Sequence, residues 1–258
     1  PQVRVLFDNG AGKGPAMAGQ PGDPYASYEA SFATFPIPGT TARSWFFGPG
    51  GTMTDGATKG AEVDTYNANA KALPLADFTG GTGGGGLWGN ASNWSWNWKP
   101  NPDGTAVSYV SAPLANDTTV VGAGAVTVWA RSAAPDADFV ATISEVDASG
   151  HETFVQNGYM RGSERKLATT SKTILGHPST QLEPVPSFTS RDAQPMRQTT
   201  FTKVVIPLYY SGHTYRAGTR IRVTIAAPNG TQPVWSFNEA LPRKGTSQIW
   251  IALSPTMP

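Results

Sequence analysis

Hydrophobic positions recur along this chain mostly at every second residue, in short runs broken by Gly, Pro, Asp and Asn. The stretch 122–162 shows the pattern best. Val126, Val128 and Ala130 alternate with polar neighbours, and a turn-forming cluster, AAPDAD, follows at 133–138. Residues 139–146 form a second run, Asp147-Ala148-Ser149-Gly150 a second turn, and residues 152–159 a third run. Period-two alternation between such clusters predicts antiparallel strands with one buried face. Further strands are expected at 3–7, 43–47, 73–78, 106–113, 118–121, 201–210, 220–226, 234–237 and 248–253. The runs at 201–210 and 220–226 are expected to pair, joined through Gly212 and Gly218. At most one short helix is expected, around 61–70. Long connections fall at about 11–42, 79–104 and 163–200. Neither an internal repeat nor a clean linker divides the chain, so residues 1–258 are expected to form one all-β domain, a jelly-roll β-sandwich.

Composition supports that picture and narrows the chemistry. The chain has 29 glycines and 22 prolines, while charged residues make up only 14%. A net charge of +1 gives no electrostatic reason to expect nucleic acid or an anionic membrane surface as partner. No apolar run approaches the roughly 20 residues that span a bilayer as a helix. With no cysteine there is no disulfide, no thiolate metal site and no cysteine nucleophile. The chain opens at Pro1 without a signal-like segment, which reads as a processed or truncated piece. Low charge with abundant Thr, Asn, Gly and Trp leans towards a secreted or periplasmic location.

Candidate chemistry is sparse. Ser149-Gly150-His151 and Ser211-Gly212-His213 each put a serine near a histidine. A serine nucleophile needs its base in fixed geometry with a third group orienting it. Both tripeptides read instead as glycine-containing turns with surface side chains. Three scattered histidines lack ligand spacing, so no metal and no cofactor is expected. Asp136 and Asp138 can be read as hard-cation ligands, but an Asx-type turn explains them more simply. Arg161, Arg165 and Lys166, like Arg220 and Arg222, read as a solvated or domain-facing stripe. The one independent binding feature is aromatic. Trp94, Trp96 and Trp98 share one side of an extended segment, with Trp88 just upstream. Three roles are open to them: core, an interface with another domain, or a stacking platform for a glycan.

Several segments, taken in order, resemble a known family. Ser108-Tyr109, Ala112-Pro113-Leu114 and Thr119-Val120-Val121-Gly122 come first, then Val128-Trp129 and Ser132. Next are Pro135-Asp136-Ala137-Asp138-Phe139 and Ser144-Glu145-Val146, then Gly158-Tyr159-Met160-Arg161-Gly162-Ser163 with Arg165. Val204, Ile206 and Pro207, and the run from Tyr215 to Val223, close the series. Together they are similar to the C-terminal β-sandwich of the X-Pro dipeptidyl-peptidase and cocaine-esterase (CocE/NonD) serine hydrolases. Gly162, where that family often has alanine, reads as a harmless departure. The resemblance covers about 105–238 well and implies a galactose-binding-domain-like jelly roll. It also implies an α/β-hydrolase catalytic domain as partner, in a dipeptidyl-peptidase, esterase or acylase, with the Ser-Asp-His triad outside this chain. No serine here lies in G-x-S-x-G, the nucleophile elbow, so no catalytic residue is expected. The sandwich would shape the substrate entrance or mediate homo-oligomer formation. The alternative is a carbohydrate-binding or adhesion module using the tryptophan face.

Overall fold

The computed structural model describes residues 3–8, 26–73, 99–228 and 248–254, and these carry fourteen strands. In chain order they are β1 (Val3–Asp8), β2 (Ala26–Phe32), β3 (Phe46–Gly48), β4 (Thr52–Thr54), β5 (Val63–Asn67), β6 (Ala106–Ser111) and β7 (Thr118–Gly122). Then come β8 (Ala125–Ser132), β9 (Asp138–Val146), β10 (Glu152–Arg161), β11 (Thr202–Pro207), β12 (Ser211–Tyr215), β13 (Arg220–Ala226) and β14 (Gln248–Ala252). The only helical turns among the described residues are short 3-10 pieces such as Gly162–Glu164 and Ser190–Asp192. The fold is an all-β sandwich.

Three sheets result, in the orders β10-β9-β13-β6-β4-β3, β11-β8-β14-β5 and β2-β1-β12-β7. The core lies between the first two. Phe139, Ala141 and Ile143 of β9, Val223 and Ile225 of β13 and Tyr109 of β6 meet Val128, Ala130, Val204, Ile206, Ile249 and Ile251 of the facing sheet. Tyr109 is fully buried, stacks on Phe47 at 4.1 Å between centroids, and donates its hydroxyl proton to Asp64 Oδ2 of β5 at 2.9 Å. Burial and the Asp64 carboxylate together raise the phenol far above its ordinary value, so it stays a donor.

β8 follows the expected alternation, with Val126, Val128, Ala130 and Ser132 buried and the residues between them partly exposed. Its outer face carries cations over aromatic rings: Lys203 lies 5.6 Å from Trp129, and Arg131 4.1 Å from Trp250. β9 departs from the expectation of one buried face. It sits between β10 and β13, and its second face, with Val140, Thr142 and Ser144, is buried too.

Three expectations are corrected. Residues 61–70 hold no helix but β5, antiparallel to β14 from Val63↔Ala252 to Asn67↔Gln248. Asp64, Tyr66 and Ala68 alternate inwards, and the strand, VDTYN, holds no alanine: its β-branched and aromatic residues suit a paired strand. The connection at 11–42 contains β2, which pairs with β1 from Val3↔Phe32 to Phe7↔Tyr28. The runs at 201–210 and 220–226 are not partners. β11 pairs with β8, and β13 lies between β9 and β6. The chain between them, read as a turn, is β12, antiparallel to β7 and parallel to β1. The strands expected at 73–78 and 234–237 fall wholly or mostly outside the described residues.

Candidate functional site

The Pro-Asp-Ala-Asp turn before β9 and the Gly-Ser segment after β10 meet in one knot. Asp136 Oδ1 accepts hydrogen bonds from the backbone N–H of Ala137 (2.9 Å) and of Ser163 (2.8 Å). Asp138, 6% exposed, receives both arms of the Arg161 guanidinium at 2.8 and 2.9 Å. That bidentate bond raises the arginine's pKa further. The Ala137 carbonyl accepts from Gly162 N–H and the Pro135 carbonyl from Met196 N–H, each at 2.8 Å. The aspartates therefore bind their own chain. Among the described residues no three His, Asp or Glu side chains gather as a metal site. Gly162 has a packing reason: a Cβ there would press on the Met196 side chain and lie 3.2 Å from the Ala137 carbonyl.

The basic cluster serves the same structure. Arg165 donates to the Gly162 and Gln194 carbonyls at 2.8 and 2.5 Å, and its burial lowers its pKa. Lys166 donates to Asp192 at 2.6 Å, and that bond is the main reason the carboxyl falls to about 2. Arg222 reaches Glu152 at 2.6 Å and Arg220 the Ser111 carbonyl at 3.2 Å. Arg165 and Lys166 thus fasten parts of the 162–194 connection to one another, while Arg220 and Arg222 tie β13 to β6 and β10.

The histidines divide. His151 is exposed in the β9–β10 turn, as expected. His213 is not a surface turn residue: it lies inside β12 at 0% exposure. Its Nε2 is 2.9 Å from Glu145 Oε2 on β9, and its ring meets Tyr215 edge-on at 4.5 Å. Burial alone would raise the Glu145 carboxyl. Hydrogen bonds from His213, Thr219 and the Arg216 backbone outweigh it, and the net shift is downwards. A ring sealed at 0% exposure meets no substrate, so the pair is a clasp between two sheets.

The surface offers a groove of about 840 Å³ between residues 35–45, the β7–β8 turn and residues 179–184. Its volume is in the range of ligand sites. Threonine hydroxyls and apolar side chains line it, with Arg43 and Lys203 at the rim. Beside it, Phe35 packs edge-on against Tyr210 at 5.5 Å, and the Tyr210 hydroxyl donates to Glu183 at 2.6 Å. Burial, then that carboxylate, pushes the Tyr210 phenol up to about 12. Glu183 also meets His177 at 3.3 Å, which ties in the turn closed by Gly176 N–H on the Thr173 carbonyl. No histidine or carboxylate is among the described residues that line the groove, so its serines and threonines have no such base within it. Trp88, Trp94, Trp96 and Trp98 lie outside the described residues. The sequence carries no sign of the groove, because its walls come from five segments: 35–45, 118–127, 167–169, 179–184 and 203–205.

The sequence profile of the X-Pro dipeptidyl-peptidase C-terminal non-catalytic domain matches residues 1–248. A Mycobacterium bovis protein named as a candidate serine esterase is 25% identical over 202 residues, 77% of this chain and 30% of its own length. A crystal structure of a CocE/NonD family hydrolase from Staphylococcus aureus superposes with a TM-score of 0.62 at 18% identity. That match covers 90% of this chain and 38% of the other. An aminopeptidase from a marine sediment Thaumarchaeota archaeon gives a TM-score of 0.59 at 14% identity, over 90% and 38%. An α-amino acid ester hydrolase gives 0.56 at 16%, over 84% and 35%. These structures share the fold, and the chain spans about a third of the length of the proteins it matches.

Proposed function

Because the chain belongs to the family of X-Pro dipeptidyl-peptidase C-terminal non-catalytic domains, we propose that it packs on an α/β-hydrolase catalytic domain and forms one wall of its substrate entrance. The parent protein would be a serine peptidase or esterase. Its acyl transfer would run on a serine outside this chain.

The observation that carries the docking reading is a linked set of exposed apolar side chains. Ile174 is 91% exposed, Leu175 44%, Tyr209 52% and Tyr210 53%. Glu183 bonds Tyr210 directly and reaches the 173–177 turn through His177, so these side chains belong to one braced surface. Burying one large aliphatic side chain is worth about 1.5–3 kcal/mol. Several on a braced surface favour a lasting contact over a chance one. The groove opens beside the same aromatic pair, which would place it at the edge of the contact.

Hydroxyl-radical footprinting of the intact parent protein tests this. Ile174, Leu175 and Tyr210 should be oxidised at least several-fold more slowly than in the free chain. Equal rates in both would overturn the docking surface.

A further inference from the structure

A second cavity, of about 470 Å³, shares Trp45 and Lys203 with the outer groove and reaches inwards to Ile143, Gln156 and Ile221. Its outer end is exposed at Arg43 and Lys203, whereas Ile143, Gln156 and Ile221 are only 5–7% exposed. At the mouth the Arg43 guanidinium lies 4.6 Å from the Trp45 ring and 3.3 Å from Asp55, so the indole is braced there. The walls are mainly apolar, with Met53 and Val223 among them.

Gln156 is the exception, and its placement is built into the strand. Pairing of β10 with β9 runs Phe154↔Ser144 and then Gln156↔Ile143, so Val155 is an extra residue in a bulge. Without the bulge, Val155 would oppose Ile143 and Gln156 would fall on the other face. The bulge turns the amide to the side where Ile143 joins the core. There the Gln156 Oε1 atom is buried without a hydrogen-bond partner. Buried carbonyls are rarely left so, because the group has lost water and gained nothing in return.

We propose that this cavity is a binding site for a small, uncharged, mainly apolar molecule with a single N–H or O–H donor. Its body lies between the sheets behind Trp45, and its donor bonds Gln156 Oε1 once a turn of the side-chain amide brings that sealed atom to the cavity wall, which Gln156 lines. The volume is in the range of small-molecule sites, which pair apolar walls with a few placed polar groups. A charged ligand is disfavoured, since no counter-charge lines the buried end.

Indole and benzofuran test the proposal, because they have nearly the same shape and differ in the N–H donor. Each is titrated into the full chain and followed by NMR. Indole should shift resonances of Trp45, Met53, Ile143 and the Gln156 side-chain amide. Benzofuran should bind the same place about fivefold more weakly, the factor one neutral hydrogen bond supplies. In Gln156→Met, which keeps the volume and lacks the carbonyl, the two probes should bind alike. Absence of indole binding at millimolar concentration would sink the proposal. So would equal affinities in the native chain, shifts confined to the outer groove, or a preference that survives Gln156→Met. Should that variant fail to fold, the affinity ratio and the Gln156 amide shift in the native chain decide the matter.

Discussion

Ser-Gly-His occurs twice in this chain, and the two copies share almost nothing in structure. At 149–151 the tripeptide closes the β9–β10 turn. Gly150 takes a φ of +86°, and Asp147 Oδ1 gathers hydrogen bonds from Ser149 N–H, Ser149 O–H and His151 N–H at 2.6–2.9 Å. At 211–213 the same residues lie in β12, with Gly212 against Val5 and Phe7 of β1 and His213 clasped to Glu145. A glycine is used for conformation in the first copy and for closeness in the second. The histidine is solvated in one and a buried hydrogen-bonding partner in the other. What differs is the flanking chain. Asp147 two residues ahead of Ser149 supplies an Asx turn, while Thr214 and Tyr215 continue the second copy as a strand.

Paired substitutions break the comparison open. The largest contrast should come from His213→Ala, which leaves the Glu145 carboxylate buried and short of a partner. A loss of about 3–5 kcal/mol is expected in urea unfolding. His151→Ala should stay within about 0.5 kcal/mol by the same measurement. Next are the glycines. A Cβ on Gly212 would lie 2.6 Å from Val5 Cγ1 and 3.1 Å from Phe7 Cδ1, so Gly212→Ala should cost about 1–3 kcal/mol through displaced packing. Gly150→Ala meets open space and only the left-handed backbone opposes it, at about 1 kcal/mol. If Gly150 proved the costlier site, the distinction between conformation and closeness would fail.

Acid should reveal a smaller difference. Glu145 has a lowered carboxyl in the folded chain, so its contribution is complete above the unfolded glutamate value, about 4.3, and is lost as pH falls through the folded one. Asp147, lowered chiefly by the Ser149 hydrogen bond, follows the same sign. Unfolding free energy measured from pH 5 downwards should fall less steeply in Glu145→Gln than in the native chain. At 1 M salt the Glu145 contribution should persist, because the side chain is 13% exposed, whereas ion pairs at the surface are screened. An acid limb unchanged by Glu145→Gln would show that the clasp carries no linked protons.

The contrast also explains what could be read from the chain and what could not. β8, β9 and β10 were legible because Val126, Val128 and Ala130 alternate cleanly and Pro, Asp and Gly mark both turns. β5 was obscured because its inward positions, Asp64, Tyr66 and Ala68, mix a carboxylate with apolar side chains and so leave no hydrophobic alternation. β12 was obscured because Ser-Gly-His is turn chemistry unless another strand claims it. The family resemblance held since its PDADF and GYMRGS pieces form one knot, a local constraint that sequence can carry. Gln156 was invisible for a different reason. One extra residue at Val155 reverses which face it serves, and a bulge leaves no mark in the hydrophobic pattern. The groove was equally hidden, since Trp45, Thr119 and Leu182 converge only in three dimensions.

The parallel pairing of β1 with β12, Phe7 beside Gly212, sets a timetable for the growing chain. Among the described strands β1 is made first, and it can join β2 as a hairpin once that strand follows. Its other edge has no partner until about 200 more residues have been made. At 5–20 residues per second that is roughly 10–40 s with one row of peptide groups open to any passing strand. β1 and β2 are therefore where a nascent-chain chaperone would matter most, and where slowed translation before β12 should first show itself as aggregation.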